Sequence, residues 1–174
     1  MTELEQIKSL IREVPDFPEP GISFKDITTL LRDASGLKAT VDALVGRYTG
    51  EQIDVVVGIE SRGFVIGTPM ALALGCGFVP IRKPGKLPSS TLSQEYTLEY
   101  GTDAVEIHED AIGTGERVLM VDDLLATGGT MEASCQLVER LGGKIIGVGF
   151  IVELEFLNGR KRLHDFRVDS LVRY

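Results

Sequence analysis

At 174 residues, 43% of them hydrophobic and 25% charged, the chain fits one globular domain with a sizeable core. Its net charge of -8 and pI near 4.8 argue against non-specific binding to nucleic acid or to an anionic membrane, while leaving room for a local basic site. Two cysteines, Cys76 and Cys135, are too few for a disulfide framework and predict reduced thiols in a cytoplasmic protein. Early acids and the lack of an apolar core near Met1 predict no signal peptide, and no apolar run approaches the ~18 residues of a membrane span.

Apolar residues at Leu4, Ile7, Leu10, Ile11 and Val14 recur at helical spacing and predict a helix over Glu3 to Val14. Pro15, Pro18, Pro20 and Gly21 break it, because proline removes a donor and restricts the residue before it. The elbow carries Phe17 and Phe24. A short segment, Ile27 to Leu31, precedes a helix expected over about Ser35 to Thr49. Ile53 to Gly58 is short and β-branched, which predicts a buried strand. Glu60 to Gly63 forms a turn. Phe64 to Leu74 follows as a helix, with Pro69 expected near its first turn, where proline is tolerated.

Phe78 to Ile81 is the next strand. The polar stretch 82–101 contains two prolines and two glycines and is expected to be a functional, flexible loop. Its middle is a candidate hairpin partner for Ala104 to Ile107. Arg117 to Val121 and Lys144 to Val152 are further strands, separated by a helix over Gly129 to Leu141. The end of the chain, Glu153 to Tyr174, has no clear period. Alternating strands and helices predict an α/β fold with a mostly parallel central sheet flanked by helices.

The segment VLMVDDLLATGGT (118–130) carries the most chemistry. Asp122 and Asp123 are expected at the carboxyl end of a strand, where open α/β sheets bind ligands. Neighbouring carboxylates repel, so hydroxyl donors or a cation such as Mg2+ must offset them. Alone, the pair fits a solvated acidic turn equally well. Gly128 and Gly129 let a ligand approach the backbone, and their N–H groups with the hydroxyls of Thr127 and Thr130 can ring an anion. A helix starting there adds its dipole. An ordinary turn with threonine as cap is the plainer alternative. Neither nucleotide fingerprint, G-x-x-x-x-G-K-[ST] nor G-x-G-x-x-G, is present.

The same segment resembles the phosphoribosyl-pyrophosphate (PRPP) loop of the type I phosphoribosyltransferases, in its adenine-using form. The resemblance implies that family's fold, with a small N-terminal hood (about 1–35), a core (about 36–174) and a flexible catalytic loop (about 82–101) in a single domain. It implies that Ala126, Thr127, Gly128, Gly129 and Thr130 bind the 5′-phosphate. Asp122 and Asp123 would hold the ribose hydroxyls, with Mg2+ expected through PRPP and water and no direct protein–metal ligand.

FPEPGISFKD (17–26) resembles the hood segment, which implies that Phe24 stacks on adenine while the backbone of Ser23 and Lys25 reads its edge. Ser23 departs from the more apolar residue usual there. GIESRGF (58–64) resembles the pyrophosphate loop, implying Ser61 and Arg62 as ligands and a cis Glu60–Ser61 peptide. Lys83 and Lys86 belong to the one basic spot and are implied near the pyrophosphate. Glu99 would handle the imidazole proton, making it catalytic with Arg62 and Lys83, and Tyr100 would cover the ribose. The implied reaction is adenine plus PRPP to AMP plus pyrophosphate, in purine salvage, by a homodimer. A 6-oxopurine phosphoribosyltransferase and a non-catalytic PRPP-sensing regulator are the alternatives. The hood favours adenine over the first, and the acidic chain without a DNA-binding module disfavours the second.

Overall fold

The computed structural model describes residues 2–98 and 101–174. These fall into two compact units, Met1–Ala43 and Leu44–Tyr174. The first opens with α1 (Glu3–Ser9), started by a capping box in which Thr2 and Glu5 exchange hydrogen bonds. The helix expected to reach Val14 stops here. Residues Arg12–Val14 instead form strand β1, paired antiparallel with β2 (Phe24–Asp26), Val14 opposite Phe24. Cross-strand pairing and the Arg12–Asp26 ion pair (2.5 Å) override the helical period. Hydrogen bonds from Thr28, and then Arg12, hold the Asp26 carboxyl down at about 2. The proline elbow between the strands contains a cis Phe17–Pro18 bond. Helix α2 (Thr28–Arg32) follows, and α3 (Ala34–Gly46) carries the chain onward.

The second unit is built on five parallel strands: β3 (Val55–Ile59), β4 (Gly77–Ile81), β7 (Arg117–Leu125), β8 (Lys144–Glu153) and β9 (Val168–Arg173), in the order β4-β3-β7-β8-β9. Between β4 and β7, strands β5 (Thr91–Thr97) and β6 (Thr102–His108) form an antiparallel hairpin. The expected parallel α/β sheet flanked by helices is therefore present. Alternation along β3 sends Val55, Val57 and Ile59 to a core shared with Val105 and Ile107 of the hairpin and Met131, Leu137 and Val138 of α5 (Gly129–Arg140). Val56 points the other way, towards α4 (Arg62–Leu74), where Gly67 permits close packing: a Cβ there would stand 2.7 Å from the Phe78 ring.

Two further expectations change. Pro69 lies in the interior of α4, because the helix begins at Arg62, and so it forgoes a main-chain bond one turn back. Strand β7 continues past Val121 to Leu125, because β8 is long enough to pair with it throughout, Asp122 opposite Phe150 and Leu125 opposite Glu153. The two acids thus sit inside a strand. After β8 the unreadable end of the chain resolves into two 3-10 turns, Glu155–Leu157 and Gly159–Leu163, before β9 closes the sheet edge. No helix among the described residues is long and apolar enough to cross a membrane.

Candidate functional site

The centre of the second unit is the passage from β7 into α5. Gly128 takes φ +85°, a conformation that L side chains rarely adopt, and serves as the N-cap of α5 with no side-chain cap. The first main-chain bond of the helix is Glu132 N–H to Gly128 C=O at 2.9 Å. The N–H groups of the preceding turn therefore remain uncapped by any side chain, with the helix dipole behind them. They border a cavity of about 90 Å³ lined by Ala126 through Thr130 and floored by Asp122, Leu125 and Phe150. The volume suits a phosphate-sized group rather than a whole nucleotide. A second opening of about 440 Å³ joins Thr127, Gly129 and Thr130 to Tyr96, Thr97 and Leu98 of the hairpin and to Arg162. A larger cavity of about 520 Å³ lies under the C-terminal segment, but the charges there, Glu153, Arg160 and Arg173 among them, already pair with one another.

Asp122 and Asp123 are adjacent in sequence yet differently engaged. Burial, and next the Asp123 charge, push the Asp122 carboxyl well above the usual carboxylate range. Its Oδ1 accepts the Asp123 N–H at 2.9 Å. Gly63 of α4 packs directly over it, since a Cβ there would stand 3.0 Å from Asp122 Oδ1. Asp123 is 6% exposed, and its Oδ2 accepts a hydrogen bond from Arg62 Nε. Residues expected to serve ribose and pyrophosphate separately are thus joined in one ion pair.

The Glu60–Ser61 peptide is cis, as the resemblance implied. Glu60, for which the sequence suggested no role, organises the basic spot. Its carboxylate accepts the Lys83 N–H at 2.8 Å, pairs with Lys86 Nζ, and lies 3.4 Å from Arg82 Nε. Burial is the largest single influence on this carboxyl and opposes ionisation, but the cationic and main-chain donors together hold it below its usual range. Lys83 turns to the hairpin, donating to Tyr96 Oη at 2.7 Å and pairing with Asp103. Burial disfavours its charge most strongly, yet the contacts with Asp103 and Tyr96 outweigh it and raise the ammonium above its usual value. Glu99 and Tyr100 lie outside the described residues.

Within the first unit, Phe24 meets Phe17 edge to face, ring centroids 5.3 Å apart at 79°. The two rings line an apolar recess of about 270 Å³ with Val14 and Asp26. Ser23 and Lys25 flank Phe24, the ammonium of Lys25 lying 2.8 Å from Glu13 Oε1. Phe17 is 51% exposed, a large ring left in solvent, and only its place in a proline-rich elbow distinguished it in the sequence. Glu60 gave no such signal, because its partners Lys83 and Lys86 are more than twenty residues away.

A parallel sheet that delivers two carboxylates beside an anion-sized backbone cradle, with a guanidinium from the neighbouring strand's turn, defines a sugar-phosphate-binding α/β protein. The family model described as the phosphoribosyl transferase domain matches residues 27–172. An adenine phosphoribosyltransferase of Acidobacterium capsulatum is 58% identical over 170 residues, 98% of this chain and 94% of that protein. The crystal structure of adenine phosphoribosyltransferase from Thermoanaerobacter pseudethanolicus is 54% identical and superposes with a TM-score of 0.95, covering 98% of this chain and 99% of the other. The enzyme of Saccharomyces cerevisiae, crystallised with an imino-altritol bisphosphate and adenine, is 40% identical with a TM-score of 0.92, over 97% and 98% of the two chains. The chain belongs to the phosphoribosyl transferase family.

Proposed function

We propose that the protein transfers the phosphoribosyl group of PRPP to adenine, giving AMP and pyrophosphate in purine salvage. The observation that carries this is the joining, in one unit, of the uncapped turn Ala126–Thr130, the Asp122–Asp123 pair and the Arg62 guanidinium. On this reading the turn holds the 5′-phosphate, the acids hold ribose hydroxyls, and Ser61, Arg62, Lys83 and Lys86 receive the pyrophosphate. The Arg62–Asp123 pair gives the order of events a physical form. Incoming pyrophosphate draws Arg62 from Asp123, and the released carboxylate is then available to the ribose. Charge develops as positive on the sugar and negative on the diphosphate, so catalysis is mainly positioning and electrostatics.

In the first unit, Phe24 with Phe17 supplies a flat apolar surface for the base, and the main chain of Ser23 and Lys25 its hydrogen bonds. Adenine in the yeast relative's crystal supports this choice of base. Glu99 is the residue assigned to the imidazole proton and Tyr100 to cover of the ribose. Mg2+ arrives with PRPP. The oxygen-rich Asp122–Asp123 edge suits such a hard cation through water, and when bound the ion neutralises diphosphate charge. We further infer one domain with an N-terminal hood, a cytoplasmic location, no nucleic-acid or membrane partner, and a homodimer. The apolar face of α4, where Val65 and Leu72 are 46% and 78% exposed, supports the last.

Turnover of PRPP–Mg2+ with adenine, guanine and hypoxanthine tests the reading. AMP formed from adenine alone is expected. Turnover only with the oxopurines makes it a 6-oxopurine enzyme, and PRPP binding without turnover makes it a sensor. For Glu99→Ala, an unchanged kcat at saturating substrates would remove that residue from proton handling.

A further inference from the structure

The turn read as the phosphate site is closed locally by its own helix, through the Glu132 N–H to Gly128 C=O bond. It is made of Ala126, Thr127, Gly128, Gly129 and Thr130, and no side chain caps the helix that follows. A cradle of backbone N–H groups binds an anion well only when those groups are aimed before the ligand arrives. Part of that aim comes from outside the turn.

It comes from a segment some thirty residues later. A Cβ added to Gly159 would stand 2.2 Å from Ala126 C=O and 2.9 Å from Leu125 Cδ1. From the other side, a Cβ on Gly128 would stand 2.6 Å from Gly159 C=O. The two backbones therefore touch at two points, with no room for a side chain at either. The chain leading to Gly159 is tied down by the Leu154 N–H to Leu125 C=O bond at 2.9 Å.

Beyond Gly159 the segment itself is held on both sides. Arg160 makes a two-pronged contact with Glu153, Nε to Oε1 at 2.9 Å and Nη2 to Oε2 at 2.5 Å, and donates from Nη1 to Val168 C=O at 2.7 Å. Glu153 is 4% exposed and accepts a third bond from Ser170 Oγ at 2.6 Å. A buried carboxylate with this many donors is rigid, and its planar match to the guanidinium fixes direction as well as distance. Arg162 Nη1 reaches Glu132 Oε2 at 3.0 Å in the first turn of α5, and Leu163 is buried in the core.

We propose that Gly159 is a positioning residue for the phosphate turn, locked in place by the Glu153–Arg160–Ser170 clasp. The proposal rests on the reading of residues 126–130 as the 5′-phosphate site. It separates that site from the pyrophosphate site, which Gly159 does not touch.

The test compares wild-type and Gly159→Ala chains by calorimetric titration with ribose 5-phosphate and, separately, with pyrophosphate and Mg2+. The variant is expected to lose about tenfold or more in ribose 5-phosphate affinity and to hold pyrophosphate within about twofold. Its KM for PRPP should rise while kcat at saturation changes little. Unchanged ribose 5-phosphate affinity, or equal weakening of both ligands, overturns the proposal. If Gly159→Ala does not fold, Ser170→Ala removes one bond from the clasp and is read in the same way, with an expected loss of about threefold. A wild-type chain that binds pyrophosphate but no ribose 5-phosphate overturns the phosphate reading and this proposal together. Wild-type binding that the substitutions leave untouched overturns this proposal alone.

Discussion

On the proposed reading, two strand-to-helix turns of the second unit meet anions by opposite means. The β7–α5 turn presents no charged side chain and relies on main-chain N–H groups and a helix dipole, shaped by Gly128 and Gly159. The β3–α4 turn, with the loop after β4 that lies against it, relies on side-chain cations, and these are already engaged: Arg62 by Asp123, Lys86 by Glu60. Backbone dipoles are set when the protein folds and need no rearrangement to bind. Cations in internal ion pairs must exchange partners. The first device suits a phosphate that stays on substrate and product throughout the proposed reaction. The second suits a diphosphate that arrives with one molecule and leaves alone.

The comparison breaks most visibly if the cationic turn is dispensable. Arg62→Ala is expected to lower kcat/KM for PRPP by about 10³, roughly 4 kcal/mol, because charge builds on the leaving group in the transition state. The same variant should bind ribose 5-phosphate almost as well as wild type. A loss under about tenfold would mean that Lys83 and Lys86 suffice without the guanidinium.

The dipolar turn should fail differently. Gly128→Ala forces φ +85° on a residue with a side chain and drives its Cβ to 2.6 Å from Gly159 C=O. We expect a rise of about 10² in KM for PRPP with a smaller change in kcat, since the 5′-phosphate is bound alike in ground and transition states. Equal losses in kcat and kcat/KM would show that the turn acts on the reacting centre itself.

Legibility in the sequence follows the same division. The dipolar turn was readable because its parts are contiguous: apolar strand, acids, then threonines and glycines within thirteen residues. The α/β class followed from the alternation of strand and helix periods, whereas the strand order β4-β3-β7-β8-β9 and the edge strand β9 left no local signal. The ion pairs were not readable, because Arg62 and Asp123 are sixty-one residues apart and meet only when β3 and β7 lie side by side. Glu60 was silent for the same reason. The C-terminal segment was opaque because its work is done by Gly159 and by the Arg160 clasp, neither of which leaves a period. Local pattern also misled: Leu10, Ile11 and Val14 continue the helical spacing of α1, yet pairing with β2 takes residues 12–14 into a strand.

The two acids sharpen the contrast within one strand. Because the Asp122 carboxyl is raised, the folded chain binds more protons than the unfolded one between the usual carboxylate range and the raised value. Stability contributed by this group therefore falls as pH rises through that window. Asp122→Asn removes the penalty. Its Tm should exceed wild type by roughly 3 °C at neutral pH and converge with it in acid, while affinity for ribose 5-phosphate declines. A Tm difference that does not vary with pH would mean that Asp122 carries no such cost.

The smallest effect isolates the cost of holding cations in reserve. On the proposed reading Glu60 competes with pyrophosphate for Lys86, so Glu60→Gln should tighten pyrophosphate binding by about threefold, the scale of a part-exposed ion pair. The Glu60 carboxyl is held below its usual range, so the pairs persist at neutral pH and are lost only as pH falls through that lowered value. Pyrophosphate itself titrates, but the ratio of variant to wild-type affinity cancels that contribution. The ratio should therefore be flat near neutrality and approach unity in acid, where wild-type Glu60 becomes as neutral as glutamine. A ratio below unity at neutral pH would instead make Glu60 the group that aims the lysine at its ligand, and the cations around Glu60 would then be as pre-set as the dipoles of the other turn.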